Sequence, residues 1–139
     1  MITFLPSSSF EESAKILDYK RLGNQRVEAN LIRKTILGGG RWINHPAVRM
    51  WLPYYPALLL YRNEMIKEWI SRGFKNAMSI LEISELIIIM PIWLGNPLLH
   101  SSHRSNLLRK DPTWYGQFGW IEKPDMQYWW PVSTSKGSI

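Results

Sequence analysis

A long helix-compatible stretch with a clear start and a clear stop constrains the fold of this chain most. Ser9-Phe10-Glu11-Glu12 has the pattern of a capping box, in which the serine hydroxyl accepts from the backbone N–H of residue 12 and the Glu12 carboxylate reaches back. The triple glycine at residues 38–40 ends any helix that reaches it. One helix is therefore predicted from residue 10 to the triple glycine. Gly23 inside it costs about 1 kcal/mol relative to alanine, which predicts a bend or a close approach of another backbone or ligand.

Later segments carry further helical signals. Leu58, Tyr61 and Met65 recur at helical spacing, and Gly73 follows as a stop. Helical elements are predicted over residues 57–72, 77–89 and 101–110, and irregular structure or short helical turns over the proline-rich residues 41–56. The pattern predicts an all-α single domain over residues 1–139, with about three main helices and an aromatic, irregular C-terminus. A frayed tail is expected at residues 133–139.

The composition is typical of a soluble globular protein. Hydrophobic residues make up 45% and charged residues 20% of the chain, which excludes wholesale disorder. No uninterrupted apolar run approaches the roughly 18 residues of a membrane span. There is no cysteine, so disulfides, thiolate metal sites and thiol nucleophiles are excluded. The N-terminus lacks the pattern of a secretory signal, and a cytoplasmic protein is therefore expected. A monomer is the expected oligomeric state.

Positive charge is concentrated in the first third of the chain. The net charge is +6, and residues 15–49 hold eight lysines and arginines against two acidic residues. The remainder carries nine basic and nine acidic residues. Such a segment suits a polyanionic partner such as nucleic acid. A basic surface that is merely solvated is the alternative.

The apolar face of the first predicted helix becomes polar in its middle turns. Phe10, Ala14, Leu17, Ile32 and Ile36 define that face. Its continuation falls on a row of four polar residues: Asp18, Arg21, Gln25 and Glu28.

Burial of this polar row would cost several kcal/mol unless its members were paired or lined a site. One interpretation is a buried network that fixes helix packing. The other is the floor of a cleft that holds a catalytic carboxylate. Glu28 is the better candidate for that carboxylate, because Asp18 can pair locally with Arg21. Arg26 projects from the opposite side of the helix, towards a phosphate or a salt bridge.

The three histidines allow two interpretations. His100 and His103 lie one helical turn apart and could bind a metal if a third ligand, such as His45, came close. Alternatively, Arg104 and its polar neighbours at a helix start could face phosphate groups. The crowded C-terminal aromatics, among them Trp114 and Tyr115, could stack on an unpaired base or wedge into a duplex, or could simply pack between helices.

Several of these segments together resemble the pyrimidine-dimer DNA glycosylase family of the endonuclease V type. The shared marks are Arg72-Gly73-Phe74 and Pro112-Thr113-Trp114-Tyr115. Further segments resemble a bacterial branch of the family: residues 17–28, 44–51 and 103–108. The resemblance covers nearly the whole chain.

The resemblance implies a fold of three helices with the N-terminal segment threaded between them, and a chemistry that uses no metal or cofactor. An N-terminal α-amine attacks the sugar of a damaged nucleotide, releases the base and leaves a Schiff base that undergoes β-elimination. A glutamate on the first helix stabilises the cationic intermediate. The expected partner is double-stranded DNA with a damaged or modified base, most simply a pyrimidine dimer, extruded from the duplex.

Carried onto this sequence, the resemblance assigns the amine to Met1, because Ile2 is too bulky for ordinary removal of the initiator methionine. The polar row alone, and not a matching motif, places the glutamate role on Glu28, with Arg21 and Gln25 beside it. The family's phage member carries its glutamate in an Arg-Glu-Leu-Pro-Arg segment that residues 20–28 do not reproduce, so Glu28 would act from more than one turn further along. The predicted DNA contacts are Lys20, Arg26, His45, Arg49, His100, His103, Arg104, Trp114 and Tyr115.

Three functions compete at this point. The first is a glycosylase with lyase activity, and the second is a duplex-binding module that keeps the scaffold without the chemistry. The third is a metal-dependent nuclease built on His45, His100 and His103.

Overall fold

Helices joined by turns and irregular segments make up the computed structural model, which describes residues 1–134. The helices are α1 (Phe10–Ile16), α2 (Tyr19–Gly38), α3 (Pro46–Arg49), α4 (Tyr55–Ser71), α5 (Pro97–Lys110) and α6 (Pro112–Tyr115), with 3-10 turns at Leu52–Tyr54 and Gly116–Phe118. The predicted all-α class is confirmed. Among the described helices, none is long and apolar enough to cross a membrane. Of the predicted frayed tail, residues 135–139 lie outside the described residues.

The hydrophobic core lies chiefly between α2 and α4, the pair of helices with the most extensive mutual contact. Leu22 and Ile32 of α2 and Leu58 and Met65 of α4 are fully buried there. Leu107 of α5 joins the same core cluster. Each such side chain contributes about 1.5–3 kcal/mol on burial, so apolar packing holds the helices together.

The first predicted helix is divided into α1 and α2, and the prediction of one uninterrupted helix was wrong at this point. Ser9 caps α1 as expected, with its hydroxyl accepting from the Glu12 N–H at 3.1 Å. Leu17 and Asp18 are extended, which turns Leu17 fully into the core. The carbonyl oxygens of residues 14 and 15, freed at the end of α1, accept from the Arg72 guanidinium at 3.1 Å each.

The element predicted over residues 77–89 does not form, because side chains of α4 bind backbone groups of residues 79 and 81. Asn63 donates to the Leu81 carbonyl at 2.7 Å and accepts from the Leu81 N–H at 3.0 Å. Arg62 donates to the Ser79 carbonyl at 2.8 Å. These bonds use groups that a helix would need, and the β-branched run at residues 87–89 adds little helix propensity.

Gly23 does have a close neighbour, but it is the Trp69 side chain and not the backbone or ligand that was predicted. A Cβ at Gly23 would lie 2.9 Å from Cζ3 of Trp69. The Trp69 ring stacks on Phe74 with centroids 4.4 Å apart, and the Arg26 guanidinium lies 4.2 Å from the ring centroid. The missing Cβ therefore lets an aromatic ring pack flat against α2.

The N-terminal segment (residues 2–6) passes between α2, α4 and α5, which is the threading that the family resemblance implied. Phe4 and Leu5 are buried in the core. Their backbone groups are bound by side chains of the surrounding helices: Gln25 of α2, Tyr61 of α4, and His100 and His103 of α5. The start of the chain is thus fixed against three helices.

Candidate active site

A cavity of about 290 Å³ opens where the N-terminal segment crosses α2. Its lining consists of Ile2, Phe4, Lys20, Arg21, Asn24, Gln25, Glu28 and Lys110. Lys20 and Lys110 are exposed at its edge, and Arg21 and Glu28 are partly buried. The cavity therefore combines three cationic side chains and a single carboxylate beside the start of the chain.

Gln25 is a structural member of the wall. It is 2% exposed, and its amide nitrogen donates to the Ile2 carbonyl at 3.1 Å. Its amide oxygen accepts from the Phe4 N–H at 2.8 Å and lies 2.7 Å from the Tyr61 hydroxyl oxygen. The carboxamide thus pairs with two backbone groups of the N-terminal segment, much as a neighbouring strand would.

Asp18 belongs to a second network, and the structure does not bring it to the cavity. It is 4% exposed, its backbone N–H donates to the Tyr115 hydroxyl at 3.1 Å, and that hydroxyl donates back to the Asp18 carboxylate. Arg21 completes the group with a 3.2 Å ion pair to Asp18. Burial and the bond to Asp18 raise the pKa of Tyr115, so this phenol stays protonated and serves as a link between α2 and α6.

Glu28 differs from its neighbours in the row. Among residues 1–134, its buried Oε2 atom finds no hydrogen-bond partner, although the side chain lines the cavity. The carboxylate is near enough to Tyr61 to raise the pKa of that phenol, in addition to the larger effect of burial. An unpartnered carboxylate oxygen in a protein interior destabilises the fold by about 1–3 kcal/mol or more. Glu28 is therefore better explained by a functional role than by a structural one.

The amino terminus lies beside this cavity. Ile2 lines it, Met1 is partly buried, and consecutive Cα atoms are only about 3.8 Å apart. Thr3 is fully buried and accepts from the Trp51 indole N–H at 2.9 Å. Burial lowers the pKa of His45, and the positive charge of the Met1 amine lowers it further. The amine therefore lies within electrostatic reach of His45.

The predicted DNA contacts are divided between the cavity side and other parts of the surface. Lys20 is exposed at the cavity. His45 caps α3 by accepting from the Ala47 N–H at 3.0 Å, and Arg49 donates to the Ser133 carbonyl at 2.7 Å. Arg26 lies over Trp69 and donates to Asn76 at 2.7 Å, on a different side of α2.

The remaining predicted contacts are engaged in the fold. His100 is 6% and His103 is 2% exposed, and both rings bind the backbone of residue 5. Arg104 holds both Glu122 oxygens at 3.0 and 2.8 Å. Tyr115 is fully buried, and the Trp114 indole donates to the Ile16 carbonyl at 2.7 Å. We therefore leave His100, His103, Arg104 and Tyr115 out of the proposed interface, because partners within the protein occupy them.

The histidine metal site considered from the sequence does not assemble. Within residues 1–134, no three histidine, aspartate or glutamate side chains come together in a group that could hold a metal ion. The one-turn spacing of His100 and His103 serves a protein segment instead.

Sequence reasoning missed several residues of this site. Lys110, which the sequence placed only among the polar neighbours of Arg104 that could face phosphate groups, reaches the cavity from the end of α5, and Asn24 lines it from α2. Trp51 and Tyr61, which fix the N-terminal segment, lie 48 and 57 positions from the residues of that segment that they bind. Only the polar character of Asn24 beside Gln25 could have signalled a role from sequence.

Comparison with known proteins identifies a class of DNA repair enzyme. A family profile described as pyrimidine dimer DNA glycosylase matches residues 1–82. That range covers more than half of the chain and every cavity-lining residue except Lys110. The chain belongs to the pyrimidine dimer DNA glycosylase family. The match does not distinguish a bacterial branch, and no curated protein and no solved structure matches the chain significantly.

Proposed function

We propose that this protein is a DNA glycosylase with an associated lyase activity that excises a damaged pyrimidine, in the first place a pyrimidine dimer, from duplex DNA. The α-amine of Met1 is the nucleophile and Glu28 is the catalytic carboxylate. Residues 1–139 act as one domain. In support of that last point, α5 binds residues 5 and 6 through side-chain hydrogen bonds, and one core cluster extends from Phe4 to Tyr115.

The observation that carries the proposal is that Glu28 lines the cavity beside the start of the chain while its buried Oε2 atom has no partner among the described residues. A cationic sugar intermediate would supply an electrostatic partner for this carboxylate. The three cations around it suit the phosphates that flank a damaged nucleotide. An α-amine suits the attacking role because its ordinary pKa of about 8 leaves a neutral fraction at physiological pH.

The chemistry proceeds in two stages, release of the base and cleavage of the strand. The amine nitrogen bonds to C1′ while the C1′–N bond to the base breaks with its electron pair. The C1′–O4′ bond then opens, O4′ takes a proton, and a protonated imine remains. Loss of a proton from C2′ and cleavage of the C3′–O3′ bond nick the strand, and water finally hydrolyses the imine. In this scheme the Glu28 carboxylate stabilises the cation and assists proton transfer.

Glu28→Gln tests the carboxylate because it keeps size and polarity and removes the charge. We expect the single-turnover rate on a dimer-containing duplex to fall at least about 100-fold, whereas duplex affinity changes less than about threefold. Denaturing gels measure the rate and fluorescence anisotropy the affinity. Glu11→Gln is the matched control, since Glu11 is exposed on α1 and its ion pair is with Lys15, away from the cavity lining.

Wild-type activity in Glu28→Gln would remove Glu28 from the mechanism. A wild-type protein that binds duplexes in a salt-dependent manner but cleaves no lesion in a panel of dimer, abasic and modified-base substrates would favour the non-catalytic binding module.

A further inference from the structure

Two histidines on one face of α5 hold both backbone groups of a single residue in the N-terminal segment. The Leu5 N–H donates to Nδ1 of His103 at 2.8 Å, and Nδ1 of His100 lies 2.8 Å from the Leu5 carbonyl oxygen. Leu5 itself is fully buried. The segment that leads to the Met1 amine is therefore held to α5 at one point by two imidazole rings.

These bonds fix the protonation state of each ring. A backbone N–H can only donate, so Nδ1 of His103 carries no proton and the ring proton is on Nε2. A carbonyl can only accept, so Nδ1 of His100 is protonated. Nε2 of His100 in turn accepts from the Gly95 N–H at 2.9 Å and carries no proton. The two rings are neutral and are opposite tautomers.

A proton added to either ring would replace an attraction by a repulsion. On His103 it would point at the Leu5 N–H, and on His100 it would point at the Gly95 N–H. Within the described part of the chain, the ring nitrogens bond to backbone groups and no carboxylate bonds to either ring to offset the charge.

The charged and titratable groups around the pair do not favour protonation. Arg104 lies on the same helix, and Glu122 is held by Arg104 and Ser101. Glu12 of α1 shares an open groove with His100 and Arg104, and the Tyr128 ring packs edge-on against His103. Burial lowers the pKa of His103 to about 3, assisted by the neighbouring His100, and burial also lowers the pKa of His100.

We propose that His100 and His103 form a proton-operated latch: two positioning residues that hold the N-terminal segment, and with it the Met1 amine, at the cavity only while both rings are neutral. The catalytic consequence rests on the proposed function, whereas the latch itself does not. Acidification below the ordinary histidine pKa should release residues 2–6 before it unfolds the helices.

Asparagine tests the latch, because its side-chain amide places an oxygen or a nitrogen where Nδ1 of histidine lies and does not titrate. His100→Asn/His103→Asn should keep borohydride trapping on an abasic duplex within about threefold of wild type at pH 7 and should decline less steeply than wild type under acid, because the loss of the neutral form of an attacking α-amine is common to both proteins. His103→Leu, which offers no acceptor, should trap at least tenfold more slowly at all pH values.

Two spectroscopic readouts are independent of activity. Imidazole nitrogen shifts at pH 7 should show the Nε2–H tautomer for His103 and the Nδ1–H tautomer for His100. The Leu5 amide, corrected for intrinsic rate, should exchange at least tenfold faster at pH 4 than at pH 7 in wild type but not in the double asparagine variant. The Met65 amide in α4 should remain protected in both, which separates local release from unfolding.

The results distinguish the two claims. Correct tautomers and acid-labile Leu5 protection without any trapping would uphold the latch and overturn the proposed function. Normal trapping with the wrong tautomers, or with Leu5 protection that ignores pH, would overturn the latch alone. Equal acid sensitivity of the double asparagine variant and wild type would also contradict it.

Discussion

Gln25 and Glu28 lie three positions apart on α2 but differ in whether the protein supplies hydrogen-bond partners for their side chains. Gln25 has its amide oxygen and nitrogen bonded to the N-terminal segment, whereas Glu28 keeps a buried oxygen without a partner. The sequence predicts that both lie on one polar row, because helical spacing determines the face. It does not predict which member will find a protein partner, since the partners come from residues 2 and 4. Helical spacing therefore indicates the site but also includes polar residues that serve the fold instead.

Gly23→Ala should destabilise the protein, although alanine is the better helix former. The new Cβ would lie 2.9 Å from Cζ3 of Trp69, and that ring is held by Phe74, by Arg26 and by its own bond to the Lys75 carbonyl. Overpacking of about 1–3 kcal/mol outweighs a propensity gain of up to about 1 kcal/mol. Urea denaturation should give a net loss of about 1–2 kcal/mol.

Gly38→Ala is the matched control in the same helix. A Cβ there meets nothing within 4 Å, so the free energy of unfolding should stay unchanged or rise by up to about 1 kcal/mol. Equal effects of the two substitutions would contradict a specific role for the Trp69 contact.

At the scale of elements, the sequence predicted helix boundaries correctly where a capping residue or a glycine stop marks them. It failed where side chains from distant positions determine the backbone. The Ser9 cap, the end of α2 at the triple glycine and the existence of α4 and α5 follow from sequence. The break at Leu17 and Asp18 does not, because Tyr115 and Arg72 stabilise it from positions far along the chain. The missing element at residues 77–89 has a similar cause, because side chains of α4 bind the backbone there.

The helices α2 and α5 each place an exposed lysine at the cavity, and we expect both lysines to contact DNA phosphates. Lys20 and Lys110 are exposed there, and each phosphate contact contributes about 0.9 to the slope of log affinity against log salt. Lys20→Gln/Lys110→Gln should therefore reduce that slope by up to about 1.8. Titrations of a lesion duplex by anisotropy at several salt concentrations measure it.

A charge-matched control is Lys15→Gln/Lys67→Gln. These lysines pair with Glu11 and Glu64 on other surfaces, so the slope should stay near the wild-type value although net charge falls equally. If both double variants reduce the slope alike, overall charge and not the cavity edge governs binding.

At the scale of the whole molecule, the segment that begins the chain depends on helices from both halves. The family match ends at residue 82, yet α5 beyond it supplies the two histidines that bind Leu5 and the Arg104 bond to the Pro6 carbonyl. The all-α class and the basic first third follow from pattern and composition. The interior position of His100 and His103 does not, because it requires the three-dimensional path of residues 2–6.

Borohydride trapping followed by mass mapping tests the central claim most directly. Wild-type protein is incubated with dimer-containing and abasic duplexes, the imine is reduced, and the modified peptide is sequenced. A covalent adduct on the α-amine of Met1 is the predicted result. An adduct on the side chain of Lys20 or Lys110, or no adduct on any lesion duplex, would contradict the account.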